Sequence, residues 1–435
     1  MAKYSFQLNN YHAIKHADLE ISGITVVAGV NGCGKSTLSR WIYYIVNVMA
    51  SFENLLFADF RNQVILSLQK YSKAIEDLAV YAGEDKKKAF ERCLSFMSRV
   101  TSDNGGTEKL NLYYDRAIDL LDDMLASCIL QEKNPKQVKR VLNLFGLSDA
   151  KHFQVDMEQL AMQEFSKHDL VYRRLKTERL KSVLIEKINS LYVEKDSFPK
   201  DMSFKEDDVE LLSDKTGKAY SLDNAIYIGT PTAISLRQSD KVMMNDLKNK
   251  VVSSNDKSMD NKNNKLLIDV ICKMLNGSIV EKENFGEVDL VYHSKEGMDI
   301  RLEDVASGYK PLAYMLRLIE NGWLTENTLL EIDEPETNLH PQWVVELARL
   351  FVLIHKTLGT KIFITSHNPD MVSAIKYISE SEGIAESTRF YLAEQSEGST
   401  LYEYRNLGND INPVFDSFNL SFSTLEKYAT NFGKL

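Results

Sequence analysis

A glycine-rich loop near the N-terminus carries the clearest chemical signal. Residues 29–37 read GVNGCGKST, which places Gly29, Gly34, Lys35 and Ser36 in the pattern G-x-x-x-x-G-K-[ST]. Such glycines let successive backbone N–H groups point at phosphate oxygens. Lys35 would place an ammonium between the β- and γ-phosphates, and the Ser36 hydroxyl suits Mg²⁺. A buried strand before the loop and an amphipathic helix after it give the context that this motif requires, so we predict a nucleoside triphosphate site.

An acidic strand tip is the second candidate. Residues 328–341, TLLEIDEPETNLHP, are an apolar run that ends in two adjacent acids. Asp333 at the tip would hold a water of the Mg²⁺ shell, and Glu334 would polarise the attacking water. The alternative is a strand that ends in a solvated acidic turn. The phosphate loop elsewhere in the chain favours the catalytic interpretation.

A histidine follows another strand. Residues 361–369, KIFITSHNP, form a β-rich run that ends at His367. A histidine in this position can contact the γ-phosphate and respond to hydrolysis, whereas a lone histidine is more often an ordinary surface residue. Because the acidic strand lies only one helix upstream, the functional interpretation is favoured.

A Ser-Gly pair precedes a predicted helix in residues 303–316, EDVASGYKPLAYML. Ser307 and exposed backbone amides at a helix N-terminus would form a second anion site, whereas the ordinary alternative is a helix cap. The position of Gly308, about 20 residues before the acidic strand, favours the first interpretation.

Alternating strands and helices must position these residues. Residues 4–8 and 17–21 predict a hairpin, and residues 24–28 predict a buried strand before the phosphate loop. The pattern resumes with strands at 289–293, 328–333 and 361–365, which are separated by helices. These helices carry apolar stripes at Leu312, Met315, Leu316 and Ile319, and at Trp343, Leu347, Leu350, Phe351, Ile354 and Leu358. This alternation predicts parallel pairing.

Residues 51–222 have mostly helical periodicity and predict a lobe inserted into the α/β domain. Within this stretch we expect a loop at 103–106 and a hairpin turning at 215–217. Residues 252–265, VSSNDKSMDNKNNK, are polar and low in complexity, which predicts a surface loop.

The composition is that of a globular protein. Of 435 residues, 44% are hydrophobic and 26% charged, and 52 basic against 62 acidic residues give a net charge of -10. This balance argues against wholesale wrapping of nucleic acid but leaves a local basic patch open. Four scattered cysteines without a CxxC pair, no apolar run of membrane length and no secretory signal indicate a cytoplasmic protein without a membrane partner.

In chain order, the phosphate loop, Ser-Gly pair, acidic strand and histidine resemble an ABC-type ATPase. IDEPETNLHP, TSHNP and the opening LNNYHAIKHADLEISGITVVAGVNGCGKST are similar to the soluble branch that contains RecF, SMC proteins and OLD-family ATPases. The resemblance covers about residues 1–50 and 285–375. It implies the α/β fold of an ABC-ATPase head, a P-loop NTPase with a mixed or parallel sheet. The head would comprise residues 1–50 and 223–435, and the large inserted helical lobe residues 51–222.

The resemblance also implies ATP and Mg²⁺ as ligands and a homo-oligomer in which two heads sandwich two nucleotides. Ser307 and Gly308 of one head would act in trans on the γ-phosphate held by the other, with Asn338 in the loop that links the two sites. The segment reads ASGYK in place of LSGGQ, and Gln63 is a candidate for the family's Q-loop glutamine. The implied catalytic residues are Glu334, His367 and Asp333. The implied metal ligands are Ser36 and Asp333. The implied nucleotide-binding residues are Gly29, Asn31, Gly32, Cys33, Gly34, Lys35, Ser36, Thr37, Ser307 and Gly308.

The type of ABC ATPase follows from what lies between and after the motifs. About 270 residues separate the phosphate loop from the Ser-Gly pair, unlike in transporter subunits, and no heptad pattern persists as in SMC arms. Only 68 residues follow His367, too few for an OLD-type nuclease domain. The chain most resembles stand-alone ATPase subunits of bacterial anti-phage systems, such as the Septu type (PtuA) and the PARIS type (AriA). That resemblance implies a slow ATPase with a separate effector protein, a nuclease or a toxin, as its partner.

Two other functions stay open on the sequence. One is a RecF-like DNA repair ATPase, for which salt-dependent duplex binding is the test. The other is a nucleotide switch that holds a partner without hydrolysis. The stretch 171–187 contains Arg173, Arg174, Lys176, Arg179 and Lys181 and would meet DNA or an acidic partner, although a solvated helix face is the favoured interpretation.

Overall fold

The structure, a computed structural model, divides into two compact units. The head unit comprises residues 1–50 and 180–435, and the helical unit comprises residues 51–179. The predicted α/β class is confirmed, because a mixed sheet with helices is accompanied by a separate set of helices. The residues that the structure describes are 2–103, 105–130, 135–192, 198–229, 238–255, 262–284 and 287–416.

The strands divide between a large sheet and a small one. In chain order they are β1 (Tyr4–Tyr11), β2 (Ile14–Ile21), β3 (Ile24–Ala28), β4 (Met202–Glu206), β5 (Val209–Glu210), β6 (Asn224–Ile228), β7 (Gly277–Asn284), β8 (Glu287–Ser294), β9 (Asp299–Arg301), β10 (Thr328–Asp333), β11 (Lys361–Ser366), β12 (Thr388–Gln395) and β13 (Tyr402–Asn406). The large sheet has the order β5-β4-β1-β2-β13-β12-β3-β11-β10-β6.

One half of the large sheet, from β12 to β6, is parallel, as the alternation of strands and helices predicts. Strands β6, β10, β11, β3 and β12 pair in parallel. All residues of β3, β10 and β11 are buried, which explains why these segments read as continuous apolar runs. Parallel strands present their carboxyl ends at one edge. The loops that follow β3, β10 and β11 therefore meet there.

The antiparallel part contains the predicted N-terminal hairpin of β1 and β2. β4 pairs with β1, so residues 180–222 belong to the head unit, whereas the sequence placed the lobe boundary at 222. The hairpin predicted at 215–217 is wrong. The turn lies instead at Asp207 and Asp208, between β4 and β5, where both residues have positive φ (45° and 69°) that short acidic side chains tolerate.

The second sheet corrects another expectation. The predicted strand 289–293 lies within β8, but β8 pairs antiparallel with β7 and β9 in a three-stranded sheet of its own. Strand β8 therefore does not join the parallel sheet. A strand followed by a helix in the sequence does not reveal which sheet the strand joins, which explains the error.

The helices include the predicted ones. In chain order they are α1 (Lys35–Tyr81), α2 (Lys86–Ser102), α3 (Thr107–Leu130), α4 (Pro135–Leu144), α5 (Phe153–Glu178), α6 (Lys181–Tyr192), α7 (Gln238–Val252), α8 (Lys262–Leu275), α9 (Tyr309–Glu320), α10 (Pro341–Leu358) and α11 (Pro369–Ser381). The unit boundary at residue 50 falls within α1. The predicted loop at 103–106 separates α2 from α3, with Asn104 outside the described residues.

Each unit has its own apolar core. In the head unit, buried residues of α9 and α10 pack on the sheet, as their predicted stripes require. In the helical unit, α1, α3 and α5 bury Tyr71, Tyr114 and Met157. The polar stretch 252–265 is helical from Lys262, and residues 256–261 lie outside the described part. No helix within the described ranges is both long enough and apolar enough to cross a membrane.

Candidate functional site

The glycine-rich loop joins β3 to α1, which begins at Lys35. Gly32 and Gly34 have φ values of 81° and 100°, a region that only glycine adopts at little cost. A Cβ at Gly34 would also lie 2.7 Å from Ile14 Cγ1. Both the backbone and the available space therefore require glycine at position 34.

Lys35 is a buried cation that binds neutral groups. Its ammonium donates to the carbonyl oxygens of Gly29 and Val30, each at 2.9 Å, and the residue is 4% exposed. Within the described residues it forms no ion pair. A buried charge compensated only by carbonyl groups leaves the loop electropositive, and a phosphate would complete it.

The other predicted nucleotide-binding residues of the loop differ in solvent exposure between its tip and its base. Asn31 and Gly32 are exposed at the tip, Cys33 is buried, and Thr37 is half-buried in the first turn of α1. The exposed tip leaves the backbone N–H groups accessible from one side, which is the side on which phosphate would bind.

Hydroxyl groups surround the carboxylate of Asp333. Ser36 Oγ donates to Asp333 Oδ1 at 3.0 Å, the Thr365 hydroxyl donates to the same oxygen, and Tyr227 donates to Oδ2 at 3.2 Å. Burial and the nearby Asp333 charge raise the pKa of Tyr227 well above its usual value, so the phenol stays a donor. The predicted metal ligands Ser36 and Asp333 thus lie side by side.

Hard oxygen ligands of this kind fit Mg²⁺. In the described part of the chain, no cluster of three or more His, Cys, Asp or Glu side chains is arranged to hold a metal ion. Mg²⁺ seldom needs such a cluster, because it is usually held by one or two protein oxygens together with water and substrate phosphates. Ser36 and Asp333 would supply those protein oxygens.

A second acid lies deeper along β10. Ser39, one turn after Ser36, donates from Oγ to Glu331 Oε2 at 2.8 Å, and Glu331 is fully buried. Burial raises the pKa of Glu331 well above its usual value. Two side-chain hydrogen bonds, Ser36 to Asp333 and Ser39 to Glu331, therefore join α1 to β10.

Glu334 has a strained backbone and faces a histidine. Its φ of 50° lies in the left-handed region, which costs a non-glycine residue about 1 kcal/mol or more. Its N–H donates to the carbonyl of Thr365 at 3.0 Å. Its Oε1 lies 3.4 Å from Nδ1 of His367. The structure thus brings together Asp333, Glu334 and His367, the three predicted catalytic residues.

A further carboxylate, Glu336, supports the histidine. Its Oε1 accepts from Ser366 Oγ at 2.7 Å and from the N–H of His367 at 2.9 Å, and it lies 3.4 Å from His367 Nδ1. Glu336 is 5% exposed, and burial raises its pKa. The sequence pattern does not single out Glu336, Thr365 or Tyr227. Glu336 lies within residues 328–341, but the sequence of the turn after β10 does not show which of its acids faces inward.

The Ser-Gly pair lies at the start of α9. Gly308 is the N-cap residue, and no side chain caps the helix, so the capping alternative for Ser307 is not what the structure shows. A Cβ at Gly308 would lie 2.6 Å from Leu339 Cδ2, so this segment packs on the loop that contains Asn338 (φ 63°). Among the described residues, no hydrogen bond or ion pair joins Ser307 to residues 29–37 of the same chain.

The basic stretch of the helical unit is largely neutralised from within. Arg173 pairs with Asp169 at 2.7 Å, Arg174 with Glu178 at 3.2 Å and Lys176 with Glu53 at 2.9 Å. The Arg179 guanidinium lies 4.6 Å from the centre of the Phe52 ring. These pairs favour the solvated helix face. Gln63, the Q-loop candidate, is an exposed residue within α1 in the helical unit.

Comparison with known proteins gives a family match and remote structural likenesses. Residues 1–372 match a family described as AAA ATPase domain. An Smc head domain with an extended coiled coil from Pyrococcus furiosus, bound to the C-terminal domain of ScpA, is similar at 10% identity and a TM-score of 0.33, over 99% of this chain and 100% of that chain. The SMC head domain from Thermotoga maritima has 12% identity and a TM-score of 0.25, over 47% and 64%. An SmcHead bound to the C-winged helix domain of ScpA has 9% identity and a TM-score of 0.36, over 93% and 97%. No curated protein matches the chain.

Proposed function

The chain belongs to the AAA ATPase domain family, and from this premise we propose that it is an ABC-type head that binds ATP with Mg²⁺, closes with a second copy around the nucleotide and hydrolyses it slowly. One observation supports this proposal most strongly. The phosphate loop, the Ser36–Asp333 pair and the Glu334–His367 pair lie together at the carboxyl ends of β3, β10 and β11.

Binding rests on the loop and its lysine. The ammonium of Lys35 and the N–H groups of the loop neutralise the phosphates, and the Ser36 hydroxyl and the Asp333 carboxylate hold Mg²⁺. Bound Mg²⁺ supplies charge neutralisation for the phosphates of ATP. Thr365 and Tyr227 fix the orientation of the Asp333 carboxylate through their hydroxyl groups.

Hydrolysis requires a base and a group that contacts the terminal phosphate. Glu334, which is next to Asp333 and has a quarter of its side chain exposed, accepts a proton from the attacking water. His367, whose Nδ1 lies 3.4 Å from Glu334 Oε1, would contact the γ-phosphate. The segment ASGYK differs from the family signature LSGGQ, which is consistent with slow turnover.

When two copies close around ATP, each chain supplies Ser307 to the nucleotide site of the other chain. Ser307 directly precedes Gly308, the N-cap residue of α9, and in its own chain it has no hydrogen bond to the phosphate loop among the described residues. In the closed dimer, Ser307 and Gly308 meet the γ-phosphate held by the other chain. The loop with Asn338 and Leu339 connects this second site to Glu334, because Gly308 packs directly on it.

We also propose a biological role, which is based on the resemblance to anti-phage ATPase subunits. Closure on ATP and opening after hydrolysis control a separate effector protein, a nuclease or a toxin, in bacterial defence. The alternative of a DNA repair ATPase loses its main sequence feature, since Arg173, Arg174 and Lys176 are paired within the helical unit.

A mixing experiment tests the proposed dimer. Lys35→Ala and Ser307→Arg each disable both composite sites of a homodimer, so each variant alone should hydrolyse no ATP. A mixed dimer keeps one site, with Lys35 from one chain and Ser307 from the other. An equimolar mixture should therefore recover about one quarter of the parent turnover, since half of the dimers are mixed and each has one of two sites intact. No recovery, from variants that both remain folded, would show that the sites are not shared.

Two controls separate binding from chemistry. Calorimetric titration should show no ATP binding to Lys35→Ala and normal binding to Ser307→Arg. Glu334→Gln should bind ATP, accumulate the closed dimer in light scattering and hydrolyse ATP very slowly. If Glu334→Gln turns over at the parent rate, the base lies elsewhere.

A further inference from the structure

Strands β12 and β13, the last two in chain order, lie against one side of the phosphate loop, which we call its underside. A Cβ at Gly29 would lie 2.8 Å from Ala393 Cβ on β12, and a Cβ at Gly34 would lie 3.4 Å from the Tyr404 hydroxyl on β13. Tyr404 is 5% exposed, and its backbone pairs with Ala393 on one side and Ala17 on the other. A tyrosine far along the chain therefore lies directly beneath the loop.

Tyr404 makes a specific contact with that loop. Its hydroxyl donates to the carbonyl oxygen of Cys33 at 2.9 Å, and this hydrogen bond is buried. Burial raises the pKa of Tyr404 far above its usual value, so the phenol keeps the proton that it donates. The contact therefore does not depend on pH in the physiological range.

The geometry of the peptide bond gives this contact a consequence. No peptide bond in the described residues is cis, and in a trans peptide unit the C=O of one residue and the N–H of the next point in opposite directions. Because Tyr404 holds the Cys33 carbonyl on the underside of the loop, the N–H of Gly34 must point to the opposite side. Within the described residues that N–H has no backbone acceptor.

We propose that Tyr404 is a positioning residue of the nucleotide site, which fixes the Cys33–Gly34 peptide so that the Gly34 N–H faces the phosphates. This inference rests on the proposed binding of ATP at residues 29–37. Tyr404 lies beyond residues 1–372, the part of the chain that matches the family. The site therefore includes a group from the C-terminal strands that the family match does not cover.

Isosteric substitutions test the inference in the full-length chain. Tyr404→Phe removes one hydroxyl and should weaken binding of both MgATP and MgADP about fivefold in calorimetric titration, the effect of one hydrogen bond. The matched control is Tyr391→Phe on β12. Tyr391 is also buried, and its hydroxyl accepts from the N–H of Glu20, which lies in the same sheet but outside the phosphate loop. Tyr391→Phe should lower thermal stability about as much as Tyr404→Phe does, but it should leave both affinities unchanged.

Hydrogen exchange gives a second measurement that needs no nucleotide. The peptide that contains residues 29–37 should exchange faster in Tyr404→Phe than in the parent, whereas Tyr391→Phe should leave this peptide unaffected. Unchanged affinities in Tyr404→Phe, or equal losses in both variants, would overturn the positioning role. ATP binding by Lys35→Ala would instead overturn the proposed function itself, so the two failures are distinguishable.

Discussion

Glu334 and Glu336 lie two residues apart in the loop after β10, and their surroundings predict opposite effects of the same substitution. Glu336 is 5% exposed and accepts hydrogen bonds from the Ser366 hydroxyl and the His367 N–H. Glu334 has a quarter of its side chain exposed, and no hydrogen bond to its carboxylate is found among the described residues. Replacing each glutamate by alanine therefore distinguishes a carboxylate that stabilises the fold from one that takes part in catalysis.

The expected magnitudes follow from those contacts. In Glu336→Ala, the buried Ser366 hydroxyl loses its acceptor, which costs about 1–3 kcal/mol, and the part-buried N–H of His367 loses a hydrogen bond worth about 1 kcal/mol. The free energy of unfolding should therefore fall by about 2–4 kcal/mol. Glu334→Ala should change it by about 0.5 kcal/mol or less, because the side chain is partly exposed and unbonded. Turnover should fall at least about 100-fold in Glu334→Ala, the usual contribution of a general base.

Urea denaturation and steady-state ATP hydrolysis measure the two effects. Glu336→Gln is the control, because both hydrogen bonds use Oε1 and the amide oxygen can replace it. Glu334→Gly is a second control and should be at least as stable as Glu334→Ala, since glycine relieves the strain at φ 50°. Equal destabilisation by the two alanine variants, or parent turnover in Glu334→Ala, would refute the assignment of roles.

Three further predictions concern the metal ion, the loop and pH. Ser36→Ala should raise the Mg²⁺ concentration needed for half-maximal hydrolysis, with little change in nucleotide binding without metal; identical Mg²⁺ titrations would contradict the ligand role. Gly34→Ala should abolish ATP binding in calorimetry and lower thermal stability, since the added Cβ meets Ile14 and the φ of 100° is unfavourable for alanine; parent affinity in this variant would contradict the role of the loop. Burial lowers the pKa of His355, so below about pH 6.5 the folded state binds fewer protons than the unfolded state, and a plot of stability against pH should slope downward as pH falls. His355→Gln should remove that slope in urea denaturation between pH 5 and 6.5.

The parts of the site that the sequence predicts are those with a local pattern. The phosphate loop has fixed spacing between a strand and a helix, and β10 and β11 are apolar runs that end in polar residues. Parallel pairing then places Asp333 and Thr365 side by side in register. Local spacing and alternation therefore suffice for β3, β10 and β11 and for the residues at their tips.

The parts that the sequence does not predict depend on contacts between distant segments. Tyr227 reaches Asp333 from β6, and Tyr404 reaches Cys33 from β13, and neither lies in a recognisable motif. The boundary of the inserted lobe differs for the same reason. The pairing of β4 with β1 is set by the sheet, and the helical periodicity of the preceding residues gives no indication of it.

The position of β3 in the sheet has a consequence for synthesis of the chain. Its two neighbours are β11 and β12, so more than 330 residues follow Ala28 before the ribosome reaches Lys361. At about 5–20 residues per second, this mostly apolar strand, ITVVA, which is fully buried in the folded protein, waits roughly 15–70 s for a partner. The helical unit between them has a core of its own and can fold during that interval. The ATP site therefore forms last, and interrupted synthesis would leave an exposed apolar strand that is prone to aggregation or to capture by chaperones.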